Sequence, residues 1–152
     1  MLLNAIFAAG QDSLQQVRLK SLQNKIVSFS TVAKKDSLFL ICFFSMNSEE
    51  SITELNSINA NLENWQKIKP FRFLAVSVDE GVAANKLRPV YNMNEWKFEA
   101  YDDLYGDLRR SLHSNNFPQS IILYKNDIIY QQSGWTAGTE NYLFEKLLSI
   151  KH

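Results

Sequence analysis

The sequence predicts an α/β domain, and three observations carry that reading. Seven consecutive apolar residues, Leu38–Phe44, are bounded by polar residues on both sides, the pattern of a strand buried on both faces of a sheet. A second run of this kind, over residues 71–79, follows a stretch of helical periodicity. Two buried strands joined by a helix form a β-α-β unit, with parallel strands and a right-handed crossover. The junction after the first run is abrupt: Asn47 or Ser48 can cap a helix, Glu49 and Glu50 suit the positive end of its dipole, and Asn47 with Glu50 has capping-box spacing. Because α/β proteins place their chemistry outside the carboxyl end of a central strand, this junction is the first candidate for a site.

The remaining elements follow in order. Residues 17–22 and 26–29 alternate apolar and polar around Gln23-Asn24-Lys25, which predicts a hairpin with Asn24 suited to a left-handed position. Lys34-Lys35-Asp36 then leads into the buried strand. From Ser48 to about Ile68, the residues Ile52, Leu55, Ile58, Leu62 and Trp65 recur at helical spacing. That segment is rich in Asn and Ser, so its stability has to come from packing the stripe. Pro70 breaks the chain before the second strand, and Asp79-Glu80-Gly81 opens a further helix that ends before Pro89 or shortly after it. Trp96, Phe98 and Tyr101 suggest a short strand or an aromatic-packed loop, and Leu104, Leu108 and Leu112 mark one face of a helix. After a break at Asn115-Asn116-Phe117-Pro118, the strand Ile121-Ile122-Leu123-Tyr124, the turn Lys125-Asn126-Asp127 and a returning strand over 128–133 make a second hairpin. A final amphipathic helix after Gly134-Trp135 carries Tyr142, Leu143, Phe144, Leu147, Leu148 and Ile150.

Composition bounds the function. A chain of 152 residues fits one domain and buries about two thirds of its unfolded surface. Sixteen basic and sixteen acidic residues cancel, which leaves no global field for nucleic acid or an anionic membrane. One cysteine, Cys42, excludes an internal disulfide and a multi-thiolate metal site, and His113 and His152 add little for a metal. No cofactor is expected. No stretch approaches the roughly 20 apolar residues that span a bilayer. Residues 1–16 read as a leader-like or flexible segment before a domain over 17–152. Within it residues 2–10 resemble the tail of a signal peptide, with Ala8 and Gly10 ahead of Gln11, although the first basic residue is Arg18. Export would place the protein in the periplasm or cell envelope; a packed N-terminal segment would leave it cytoplasmic.

The run Phe43-Phe44-Ser45-Met46-Asn47-Ser48-Glu49-Glu50-Ser51 after a hydrophobic strand resembles the thioredoxin-like proteins of the TlpA/ResA type. Those proteins carry Trp-Cys-x-x-Cys at this helix start. The order of hairpin, helix, crossover, Phe117-Pro118 before a strand, hairpin, Gly134-Trp135 and terminal helix extends the resemblance over nearly the whole chain. It implies a thioredoxin-like fold, a central mixed β-sheet flanked by helices with an N-terminal β-hairpin. It also aligns the family tryptophan with Asn47 and the two cysteines with Ser48 and Ser51, so both sulfurs are absent.

Thiol-disulfide exchange requires a thiolate and a resolving thiol, which a serine hydroxyl does not supply. Ser48 as a nucleophile would need a base, and His113 is the one histidine within the domain's interior sequence; the plain reading is that Ser48 caps its helix. Cys42, in mid-strand, reads as a small buried hydrophobe. The resemblance further implies that Pro118 is cis and that the backbone beside it binds extended peptide. Met46, Asn47, Ser48, Phe117 and Pro118 would then line a groove for an extended peptide or envelope protein; alternatively, Pro118 simply shapes the loop. Three functions follow: a redox-inactive binding protein, a thiol-disulfide oxidoreductase working through Cys42 or a partner's thiols, and a domain with a structural role alone.

Overall fold

The computed structural model of the protein describes residues 14–33 and 37–151. Most of the leader-like segment and the Lys34-Lys35-Asp36 connection lie outside those residues.

The N-terminal hairpin forms as expected. Strands β1 (Arg18–Ser21) and β2 (Ile26–Ser28) pair antiparallel with Leu19 opposite Val27, and Asn24 takes a left-handed φ of 62° in the turn. The second strand is shorter than its alternation suggests, because Phe29 begins a one-turn helix, α1 (Phe29–Val32). Ser28 Oγ accepts from the Thr31 N–H at that helix start, and Phe29 and Val32 are buried.

Strand β3 (Leu38–Phe44) is buried along its whole length. It runs parallel to β4 (Arg72–Ser77), with Ile41 opposite Leu74, and α2 (Glu49–Ile68) makes the crossover between them. The predicted stripe packs: Leu55, Ile58, Leu62 and Trp65 are buried, and Ile52 is half-buried against the same cluster. Ser48 is the N-cap of α2, so the expected Asn47–Glu50 capping box does not form.

Beyond β4 the expected helix ends after Pro89, one of the two ends its sequence allows, but it opens as a 3₁₀ segment. A 3₁₀ segment over Gly81–Lys86 leads into α3 (Leu87–Met93), which runs through Pro89. Pro89 is the third residue of that helix, where an N–H has no intrahelical partner to lose. The aromatic stretch after it realises both of its readings. Trp96 and Phe98 are buried with ring centroids 5.1 Å apart, and the chain then enters a short strand, β5 (Glu99–Asp102). This strand is parallel to β4 and antiparallel to β1.

The single helix expected over 104–112 is instead two pieces, a 3₁₀ turn at Leu104–Gly106 and α4 (Asp107–Ser111). Left-handed Tyr105 (φ 63°) and Gly106 (φ 68°) separate them. The Asp103 carboxylate accepts from the Leu108 and Arg109 N–H groups at 2.9 and 2.8 Å and so starts α4 anew. Leu108 and Leu112 are buried, whereas Leu104 is only half-buried.

Strands β6 (Gln119–Tyr124) and β7 (Asp127–Ser133) form the second hairpin, with positive φ at both Lys125 and Asn126. That is the two-residue turn geometry that matches strand twist. Helix α5 (Thr139–Leu148) closes the chain, with Leu143 and Leu147 buried. Among the described residues seven strands form one mixed sheet, in the order β2-β1-β5-β4-β3-β6-β7. Its central strand alternates between two cores: Leu40, Cys42 and Phe44 face Leu55, Ile58 and Leu143, while Phe39, Ile41 and Phe43 face Leu19, Phe29 and Leu108. No helix among the described residues is long and apolar enough to cross a membrane.

Candidate functional site

The site predicted from sequence lies where β3 ends and β6 begins. The two strands are antiparallel with Phe43 opposite Gln119, so the register carries the loop after Phe44 and the Phe117-Pro118 segment to the same end of the sheet. The Phe117–Pro118 peptide bond is cis, Pro118 is buried, and its carbonyl accepts from the Gly134 N–H at 2.7 Å.

Both serines at the candidate positions hold the helix start in place. Ser48 Oγ accepts from the Ser51 N–H at 3.1 Å, satisfying one of the free donors of the first turn. Ser51 is fully buried, and its hydroxyl accepts from the Ser45 N–H at 3.4 Å. Glu50 Oε1 accepts from the Trp135 N–H at 2.9 Å, which fastens the segment after β7 to the beginning of α2.

The intervening loop hangs on Asp79, at the end of β4. Its Oδ1 accepts from Ser45 Oγ at 2.7 Å and its Oδ2 from the Met46 N–H at 2.8 Å. Asn47 is exposed. Met46 packs against the core beneath α2, and Phe117 against the core on the opposite face of the sheet. His113 is exposed and follows α4 with φ 54°; among the described residues no hydrogen bond joins it to Ser48. A Ser–His nucleophile pair is not assembled.

Beneath the helix start lies a buried polar group that the sequence reading missed. Glu54, 1% exposed, accepts from Ser120 Oγ at 2.6 Å and stands 3.7 Å from Cys42 Sγ through the same oxygen, Oε1. Its Oε2 is buried without a hydrogen-bond partner. Burial pushes the Glu54 carboxyl up to about 7, against the lowering effect of its bonds to Ser120 and Cys42. The signal was available: Glu54 lies three residues after Ser51 and four before Ile58, on the face the stripe buries. Asp79 was also missed as a site residue, because its role depends on a loop 33 and 34 positions earlier in the chain.

No family model and no curated protein matches the chain. Among solved structures, an uncharacterized thioredoxin-like protein from Porphyromonas gingivalis is 31% identical, covers 90% of each chain and superposes with a TM-score of 0.75. The chain belongs to the thioredoxin-like family. The putative thiol:disulfide interchange protein DsbE from Chlorobium tepidum is 17% identical over 87% of this chain and 90% of its own, with a TM-score of 0.72. StoA from Bacillus subtilis is 16% identical over 85% and 93%, with a TM-score of 0.69. These two share the fold.

A cysteine at a helix start has its pKa lowered by the dipole and the free N–H groups. At the start of α2 stand Ser48 and Ser51, and each hydroxyl is engaged by backbone. The one thiol of the chain, Cys42, is fully buried on β3. Burial raises its pKa well above the ordinary value, and the charge of Glu54 adds to the rise. It is therefore held as a thiol, the unreactive form. Among the described residues no three His, Cys, Asp or Glu side chains converge as metal ligands.

Proposed function

We propose that this thioredoxin-like protein is redox-inactive and acts by binding an extended peptide or protein segment non-covalently, at the sheet end carrying Met46, Asn47, Ser48, Phe117 and Pro118. The observation behind this reading is the double use of serine. Ser48 and Ser51 maintain the loop and helix start through backbone hydrogen bonds that need no thiol, so the face keeps its shape without its sulfur chemistry. An extended segment at a strand end is recognised through main-chain hydrogen bonds and side-chain pockets. The leader-like residues 2–10 favour the cell envelope as the place of action.

Partner capture from a native cell-envelope extract tests the binding arm, comparing the wild type with Ser48→Trp. Proteins retained by the wild type and lost by the variant support a binding module on this face; equal retention, or none, overturns it. The redox arm is tested by dithiothreitol-driven insulin reduction with wild type and Cys42→Ser. Neither accelerates the reaction on this reading, and activity that vanishes in the Cys42 variant would establish the oxidoreductase alternative.

A further inference from the structure

Between β7 and α5 the chain passes from the Pro118 segment to the start of α2 as five residues, Gly134-Trp135-Thr136-Ala137-Gly138. Both ends are glycines in the left-handed region, with φ 78° at Gly134 and 96° at Gly138, where other residues are strained. The segment holds its own turn: the Thr136 N–H donates to Thr139 Oγ1 and the Thr139 N–H to the Thr136 carbonyl. Among the described residues, two hydrogen bonds tie it to the rest of the domain. The Gly134 N–H donates to the Pro118 carbonyl at 2.7 Å, and the Trp135 N–H to Glu50 Oε1 at 2.9 Å.

The seat of this segment is poorly satisfied. The Trp135 indole N–H is buried without an acceptor, and Glu140 Oε2, just inside α5, is buried without a donor. Glu54, 1% exposed, has both of its donors on one oxygen: Ser120 Oγ and Cys42 Sγ reach Oε1, and Oε2 has none. Polar atoms buried in this way raise the free energy of the closed arrangement, and water entering on opening lowers it.

Charge acts in the same direction. Glu50 stands one turn before Glu54 on α2, Glu140 approaches from α5, Cys42 faces it from β3 and the Ser120 hydroxyl from β6. Both charged neighbours are carboxylates, one holding the Trp135 N–H and the other following Gly138 by two residues. Ionised Glu54 therefore repels the groups beside both ends of the segment.

We propose that residues 134–138 form a glycine-hinged strap that opens when Glu54 loses its proton, baring the Pro118 carbonyl and the polar seat beneath Trp135 to water. The device is a property of the fold and operates with or without a partner at this face. Burial pushes the Glu54 carboxyl up to about 7, with Glu50 and Glu140 adding to the rise and the bonds from Ser120 and Cys42 opposing it. With the strap open, water reaches the carboxyl and it titrates near its ordinary 4.5. The closed value is the raised one, so the closed strap is favoured at low pH and loses ground as pH rises through about 7. Between pH 6 and pH 8 the ratio of open to closed molecules rises about tenfold, levelling off once Glu54 is ionised in the closed form as well.

The test is amide hydrogen exchange of the ¹⁵N-labelled intact protein at pH 6, 7 and 8, corrected for the base dependence of exchange itself. The Gly134 and Trp135 amides are expected to open about tenfold more often at pH 8 than at pH 6, and to do so independently of low urea, the mark of local opening. The Asn24 N–H, bonded to the Ser21 carbonyl in the hairpin at the other edge of the sheet, opens equally at each pH. Glu54→Gln removes the rise. Ser120→Ala keeps Glu54 but deletes a bond that favours its ionised form, so the rise extends beyond tenfold; this variant carries the test where the Gln variant folds poorly. The inference is overturned by equal opening of Gly134 and Trp135 at pH 6 and 8, by a rise that survives Glu54→Gln, or by a rise unaltered in Ser120→Ala. It is overturned equally by urea-dependent exchange that matches β3, since strap and domain would then open only together.

Discussion

Ser120 Oγ donates a 2.6 Å hydrogen bond to Glu54 Oε1, joining β6 to α2 directly over the buried Cys42. The other carboxylate oxygen has no hydrogen-bond partner, so ionising Glu54 places charge where one side of the group is unsolvated. The folded-state pKa of about 7 lies above the ordinary 4.5, so the stability contributed by Glu54 is fully present below about pH 4.5 and is lost as pH rises through about 7. Urea unfolding at pH 5 and pH 8 should show this loss, and Glu54→Gln should remove it, gaining about 3 kcal/mol at the higher pH. An unchanged pH profile in Glu54→Gln contradicts the assignment.

Cys42 should be chemically silent in the native state. Ellman's reagent is expected to leave the folded protein unmodified over hours and to label one thiol per chain once denaturant exposes β3. Rapid labelling without denaturant would show that the strand opens or that the thiol is reachable.

The cap at Ser48 carries a definite share of stability. Ser48→Ala removes the acceptor for the Ser51 N–H and is expected to cost about 1 kcal/mol in chemical unfolding, with little change in the denaturant slope. A cost near zero would mean that water or a neighbouring carboxylate replaces the hydroxyl.

Cysteine restored at both positions, Ser48→Cys with Ser51→Cys, should close into a disulfide under mild oxidation, because residues one turn apart at a helix start fall within bonding range. Mass spectrometry of the oxidised variant reads the loss of two hydrogens. A variant that keeps both thiols free would show that these are not the family's sulfur positions.

Much of the fold was legible because its signals are local. The apolar run of β3, the stripe on α2 and the turn residues Asn24 and Asn126 each state their conformation within a few positions of sequence. What is open or misread in the sequence shares another cause. Whether the helix ends before Pro89 or after it is open in the sequence, and it runs through because the residue falls in the first turn of α3, which depends on where the preceding 3₁₀ segment ends. The split between Tyr105 and α4 depends on the Asp103 carboxylate reaching forward to Leu108 and Arg109. Ser48 and Ser51 were named from the sequence, but their surroundings were not: Asp79, Ser120 and Trp135 arrive from distant places in the chain, and Glu54 from the buried face of the same helix. Periodicity reports which face of an element is buried, and says little about which polar atoms meet there.

The proposal that Ser48 and Ser51 stand where relatives carry sulfur has a consequence for the protein as a whole. A disulfide at that position would make the first turn differ between its oxidised and reduced forms. With Ser48 and Ser51 supplying fixed hydroxyl contacts, and the single thiol sealed inside β3, no covalent bond in the domain forms or breaks with the electron potential of its surroundings. On the redox-inactive reading proposed above, the melting temperature should be indifferent to added dithiothreitol or oxidised glutathione.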